Sequence, residues 1–261
     1  LIHNVVFDIR LPRSAGAWLG GALLGLAGAV AQGLFRNPLA DPYLLGSASG
    51  ASLGVAIYLS LFGGSVMAMG WWVKLGMTGA AFVGAVLAVM LTLLLARGVQ
   101  HTLRLLLAGV VVGVVLGAFT SLILLMSPDS LQAMQAFLLG STGFVGWTSC
   151  LLMGSVWLLC LAAAWLLARV LDGLALGEST ALSLGLRLAP LRAALVAVLA
   201  LATGTAVAQT GLIAFVGLAA PHLVRAVVSV RHGRLMLLAS LMGAALLAGA
   251  DLLARGLMAP Q

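Results

Sequence analysis

The chain has 261 residues, of which 63% are hydrophobic and 7% charged, with a mean hydropathy of +1.21. A water-soluble domain carries about 45–50% apolar and about 25% charged residues, so 13 Lys and Arg with 6 Asp and Glu cannot cover a soluble body of this size. A soluble enzyme, a disordered chain and a nucleic-acid-binding domain are excluded despite a pI near 11.1. The net charge of +7 reads instead as loop charge that faces anionic lipid and sets orientation.

Leu1 opens a mixed segment, not the basic stretch and short apolar core of a cleavable signal peptide. A membrane span needs about 20 apolar residues. The pattern predicts an all-α, polytopic membrane bundle with eight such segments, at residues 14–35, 44–62, 75–96, 105–126, 148–168, 193–208, 211–228 and 235–254. The seventh is short, with Gly211, Gly217 and Pro221 interrupting it. Between the fourth and fifth segments, residues 130–139 read as an outer interfacial helix, with Leu131, Met134, Phe137 and Leu138 at helical spacing. Asp129 and Ser130 would cap its start and Gly140 end it.

Eight spans with Leu1 outside place Arg36, Arg97, Arg104, Arg169, Arg187, Arg192, Arg225, Arg231 and Arg234 inside, against Arg10, Arg13, Lys74 and Arg255 outside. That obeys the positive-inside rule. Merging residues 193–224 into one span would move Arg225, Arg231 and Arg234 outside and spoil the asymmetry.

The 33 glycines include rows at helical spacing: Gly109, Gly113 and Gly117 in the fourth segment, Gly16 with Gly20, and Gly21, Gly25 and Gly28 in the first. Such rows either let helix backbones approach closely or form a smooth wall along a wide passage. Cys150 and Cys160 lie ten residues apart in one apolar segment, about 15 Å along a helix. That is too far for a disulfide between them, and they read as small packing residues.

Chemistry is sparse. No G-x-x-x-x-G-K-[ST], G-x-S-x-G, H-E-x-x-H or C-x-x-C occurs, so ATP hydrolysis, if it drives this protein, belongs to another chain. His3, His101, His222 and His232 are scattered over loops and helix ends and read as interfacial residues, with no metal set. Asp251 is the one carboxylate inside a span, and Arg255 four residues on suggests a local pair. An ion-coupled carrier and an intramembrane enzyme, the two rivals from other classes, therefore lack the residues they need. The inner loop 171–186 is odd in a different way. It reads as two short apolar turns broken by Gly173, Gly177 and Gly185, leaving Leu174, Leu176, Leu182 and Leu184 exposed. Exposed apolar patches mark interaction sites, although these leucines could fold back onto the bundle.

RLPR at residues 10–13, QGLFRNPLADPYLLG at 32–46, RLLLAG at 104–109, LALGESTALSLGL at 174–186, GLIAFVGLAAPHLVR at 211–225 and ADLLAR at 250–255 follow one another in order. The sequence they build resembles the permease subunit of binding-protein-dependent ABC importers for iron chelates, haem and vitamin B12. The resemblance implies an inner-membrane permease of ten transmembrane helices per subunit, its first and last helices falling outside residues 1–261. It would work as a homodimer with two ATP-binding cassette subunits, which bind ATP and Mg, and a periplasmic substrate-binding protein. Cytoplasmic coupling helices would fall on 171–186, with Gly177 and Glu178 at the turn between them. The cytoplasmic gate would fall on Asn37, Leu39, Thr102 and Leu103, and the binding-protein contacts on Arg10, Arg13 and Arg255. Because Asp251 competes for Arg255, Arg10 and Arg13 are expected to be the cleaner pair. The fourth segment offers only Thr120 and Ser121 as polar side chains, which suits haem slightly better than a ferric siderophore or cobalamin.

Overall fold

In a computed structural model, residues 5–62, 71–99 and 101–258 are described; His3 and the Lys74 side chain lie outside them. Among the described residues every regular element is helical. A π-turn at Val5–Arg10 runs into α1 (Leu11–Leu34). There follow α2 (Ser47–Phe62), α3 (Trp71–Ala96), α4 (Thr102–Met126), α5 (Leu131–Leu139), α6 (Trp147–Ala175), α7 (Glu178–Ser183), α8 (Leu188–Thr210), α9 (Val216–Val227) and α10 (His232–Met258).

Each of the eight predicted apolar segments holds a helix. Among the described residues six helices are long and apolar enough to cross a membrane, whereas α2 and α9 have 16 and 12 residues. The seventh segment is broken at Gly211 as expected, but not at Gly217 or Pro221, which both lie inside the continuous helix α9. Pro221 removes only one backbone donor, close to the end where the first donors have no partner in any case. Gly211–Phe215 is not helical, Phe215 takes a left-handed φ of 68°, and α9 begins at Val216. The predicted side-chain cap on α5 is absent. A 3-10 turn at Pro128–Ser130 leads into the helix, and Ser130 makes no capping hydrogen bond. Pro128 pre-sets the turn's φ, so Ser130 enters in a helical conformation from which a cap cannot reach back. Gly140, at φ 72°, does end α5.

The described chain forms two compact units. The first holds the Val5–Arg10 turn, α1, α6, α7, α8 as far as Ala202, α9 and α10. Its axis is α1, buried without a gap from Gly20 to Phe35. Such a helix, apolar all round, needs partners on every side. Glycine supplies the room: a methyl at Gly21, Gly25 or Gly28 would run into the backbone of Gly243, Ala239 or Gly217. The small-residue row is therefore a packing seam between α1 and both α9 and α10. Hydrogen bonds fix its register. Trp157 Nε1 donates to Ser240 Oγ at 2.7 Å, and Ser240 Oγ donates to the Ala22 carbonyl at 2.9 Å. Trp18 meets Trp157 edge-on at 5.4 Å.

The second unit holds α2 to α5, the end of α8 and the extended Gly211–Ile213. Ala51, Val55, Ala56 and Leu59 of α2 pack with Ala81 and Ala85 of α3, Met134 and Phe137 of α5, and Val207 of α8. The break after α8 is kept satisfied by hydrogen bonding: Leu212 N–H donates to the Phe137 carbonyl at 3.1 Å, Ser141 N–H to Thr210 at 2.7 Å, and Tyr43 Oη to Ile213 at 3.1 Å. Irregular backbone at membrane depth requires such partners. By contrast α4, whose most apolar stretch has a hydropathy of 2.5, buries only 17% of it. An exterior of bare valine and leucine is the surface that lipid or an apolar partner face covers. Cys150 and Cys160 are buried free thiols.

Candidate functional site

Four groups of residues bear on function, each described within its own unit. The first is the loop 171–186. Residues 171–175 are not a separate turn, because α6 runs unbroken to Ala175. Leu174 is consequently 1% exposed, packed in the last turns of α6. This corrects the expectation that it is bare: helical continuation turns its side chain inward. Leu176, Leu182 and Leu184 are exposed at 68%, 56% and 64%. Gly177, at φ 109°, makes the reversal into α7, a conformation closed to residues with a Cβ. Glu178 begins α7, and its carboxylate accepts from Arg192 Nη1 at 3.1 Å, the Arg192 side chain being 3% exposed. One short helix, not two, thus presents the apolar patch, braced from α8 by a guanidinium. No spacing signal in the sequence marks Arg192 as that brace.

The second group is at the start of α1 and the end of α10. Asp251, 8% exposed, accepts from Arg13 Nη2 at 3.2 Å, pairs closely with Arg255, and accepts a close hydrogen bond from Thr142 Oγ1. Arg255 also donates to Ser14 Oγ at 3.0 Å. The i,i+4 pair read from sequence is present. The expectation that Arg13 stands clear of Asp251 is not met: Arg13 is 238 residues away in the chain, yet α1 and α10 lie side by side, so both guanidiniums converge on one carboxylate. Arg10 is exposed in the turn before α1. Asp251, the one carboxylate inside a span as predicted from sequence, carried the signal for this hub; Thr142 carried none.

The third group is split between units. In the first, Asn37 Oδ1 accepts from the Leu39 N–H at 2.9 Å, closing a tight turn after α1, and Leu39 is 70% exposed. The Asn37 N–H in turn donates to the Gln32 carbonyl at 3.1 Å. Gln32 itself grips α9. Its Nε2 donates to the Leu218 carbonyl at 3.1 Å and its Oε1 accepts closely from Arg225. That pairing of the QGLFRNP and GLAAPHLVR stretches was not readable from sequence. In the second unit, Thr102 opens α4 and Leu103 is 70% exposed.

The fourth group is the α4 row, whose members differ. A methyl at Gly109 would meet the Leu44 carbonyl, so Gly109 is a packing position against the entrance of α2. Gly113 lies at ordinary distance from Ser49, and Gly117 has open space. Thr120 Oγ1 and Ser121 Oγ donate to the carbonyls of Leu116 and Gly117 at 2.9 and 3.1 Å, within their own helix. Among the described residues no group of three or more His, Cys, Asp or Glu is gathered.

An apolar helical bundle of this kind, with six described helices long enough to cross a bilayer, a short exposed helix braced at one turn and paired arginines at another, is a polytopic membrane protein. The chain belongs to the FecCD transport family, whose pattern matches residues 1–261, and is an ABC transporter permease of the inner membrane. It is 37% identical to the hemin transport system permease protein of Yersinia pestis, over 98% of this chain and 77% of that protein. It is 39% identical to the ferric enterobactin transport system permease protein of Escherichia coli, over 97% of this chain and 74% of the relative. A solved metal-chelate type ABC transporter in an inward-facing conformation matches with a TM-score of 0.89 at 30% identity, covering 99% of this chain and 81% of that one.

Proposed function

We propose that this chain is the permease subunit of an importer that moves haem or another bulky iron chelate from a periplasmic binding protein to the cytoplasm by alternating access. Two copies would form the pathway, and two separate ATPase subunits would bind ATP and Mg. The observation that carries the coupling is the exposed Leu176, Leu182 and Leu184 around α7. An exposed apolar face on a short loop helix, braced by Glu178 and Arg192, is what a docking partner covers. Leu182→Asp with Leu184→Asp should leave the bundle folded and cut ATP-dependent uptake into liposomes at least tenfold, on the order of 1.4 kcal/mol of lost docking. Normal ATPase stoichiometry with normal uptake would sink this assignment. Glu178→Arg is a poorer probe, since it would set a second guanidinium against the buried Arg192 and remove the brace itself.

Haem is favoured by the α4 surface. Val110, Val111, Val114, Val115 and Phe119 are exposed, and both hydroxyls are spent on their own helix backbone. A wall with no free hydroxyl suits an apolar macrocycle over a ligand needing many hydrogen bonds. Ferric siderophores and cobalamin are the alternatives, and competitive binding of haem, a siderophore and cobalamin by the cognate binding protein separates the three. Asn37, Leu39, Thr102 and Leu103 are proposed to gate the inner mouth. Cysteines placed at Asn37 in both copies should crosslink in at least one nucleotide state; none in any state, with short reagents and an assembled complex, removes the gate.

A further inference from the structure

Arg169 of α6 and Arg231 and Arg234 at the start of α10 line one cleft of about 500 Å³, together with Trp165, Asp172 and Gly233. All belong to the first unit. Each cation stands where an apolar run stops. Residues 147–168 carry no charge before Arg169, and residues 235–250 carry none after Arg234. Cations placed so lie at the depth of lipid headgroups, and the charge asymmetry of the loops puts them on the inner leaflet. The one carboxylate present is already engaged: Asp172 accepts from the His232 backbone N–H at 3.2 Å and lies 2.8 Å from His232 Nδ1, holding the first turn of α10. Three guanidiniums therefore face one tied carboxylate, and the cleft is electropositive.

Its flank is apolar. Trp165, one turn before Arg169, is 51% exposed, and Leu166 beside it is 78% exposed. An indole at this level is the usual companion of a bilayer interface. A guanidinium binds a phosphate through two parallel hydrogen bonds, and a phosphodiester with acyl chains would satisfy both the cations and the adjoining leucines of α6. We propose that this cleft is a binding site for the phosphodiester of an anionic phospholipid of the inner leaflet. Inorganic phosphate shares the headgroup chemistry but leaves the Trp165 and Leu166 surface uncovered. An acidic face of a protein partner would have no use for it either.

The test uses the whole chain, purified in mild detergent, stripped of lipid and returned to nanodiscs of phosphatidylcholine with or without phosphatidylglycerol. Native mass spectrometry then reads the lipid retained. Phosphatidylglycerol should be retained and phosphatidylcholine not. Arg169→Gln, Arg231→Gln and Arg234→Gln should each lower affinity about fivefold, since one basic group near an anionic surface counts for about that much. The triple variant should retain none, and the triple Arg→Lys variant, which keeps the charge, most of it. Helical content by circular dichroism checks that the variants fold. Unchanged retention by the folded triple Gln variant would overturn the site. Displacement of the lipid by millimolar inorganic phosphate would make it a free-phosphate site instead. Loss of ATPase co-purification in the triple Gln variant, with lipid retention unaltered, would assign the cluster to a protein partner.

Discussion

Asp251→Ala is expected to destabilise the protein by about 3 kcal/mol, the lower end of what breaking a buried ion pair costs. The carboxylate side chain is 6% exposed, and it pairs with both Arg13 and Arg255, whose side chains are 31% and 25% exposed. Removing it leaves two guanidiniums close together in a partly dry site, with Thr142 Oγ1 deprived of its acceptor. Water reaches a quarter to a third of each arginine side chain, which keeps the loss from being larger. Thermal unfolding of the detergent-purified protein should show a fall of roughly 6–12 °C. Arg13→Gln should cost less, because Arg255 and Thr142 still hold the carboxylate. Arg10→Gln, in the exposed turn, should stay within about 0.5 kcal/mol of the parent. An Asp251→Ala protein that melts with the parent would show that the cluster is not a stabilising hub. The same geometry bears on docking. If the three arginines receive acids of a binding protein, Arg10 is the one whose reversal to Glu weakens docking with no loss of stability, while Arg13 and Arg255 must first be shared with Asp251.

The uncharged apolar runs made the existence of the helices legible, but not their length: α2 and α9 stop at 16 and 12 residues where packing and the break at Gly211–Phe215 intervene. Docking leucines were legible in part because Leu176, Leu182 and Leu184 sit in an apolar stretch too broken by glycine to be a span, and all three are exposed. Leu174 reads as exposed with them and is not, because α6 continues to Ala175 and carries it inward, next to Gly173, where an added methyl would run into Leu186. The side-chain bridges were hidden altogether. Gln32 to Arg225, Thr142 to Asp251 and Glu178 to Arg192 join positions 193, 109 and 14 residues apart, and only the third lies between two consecutive predicted spans. Nothing in a one-dimensional pattern selects one polar residue in a span as the partner of another. The Arg36 backbone, left-handed at φ 49°, was likewise invisible, since the residue type gives no warning of it.

The glycine rows show why spacing alone could not choose between seam and wall, and they yield the second large prediction. Gly28→Ala should be severely destabilising, by about 3 kcal/mol, at the upper end for overpacking. Its methyl would point at the Gly217 carbonyl, which is backbone and cannot rotate aside. Sliding α1 away is no remedy, because Gly21 and Gly25 hold the same face against Gly243 and Ala239. Separating α1 from α9 would also stretch the Gln32 bond to Leu218, one turn further on, and withdraw the acceptor from Arg225. Between membrane helices such close packing carries much of the association, since lipid tails compete equally for apolar surface. Gly117→Ala is the matched control. Its helix is equally regular, but the added methyl meets nothing within 4 Å, and alanine's better helix propensity should raise stability by up to about 1 kcal/mol. Melting of the two variants side by side in one detergent reads the difference directly. Equal melting temperatures would mean that the α1 glycines tolerate a side chain and that the close approach to α9 is not what holds this half of the bundle together.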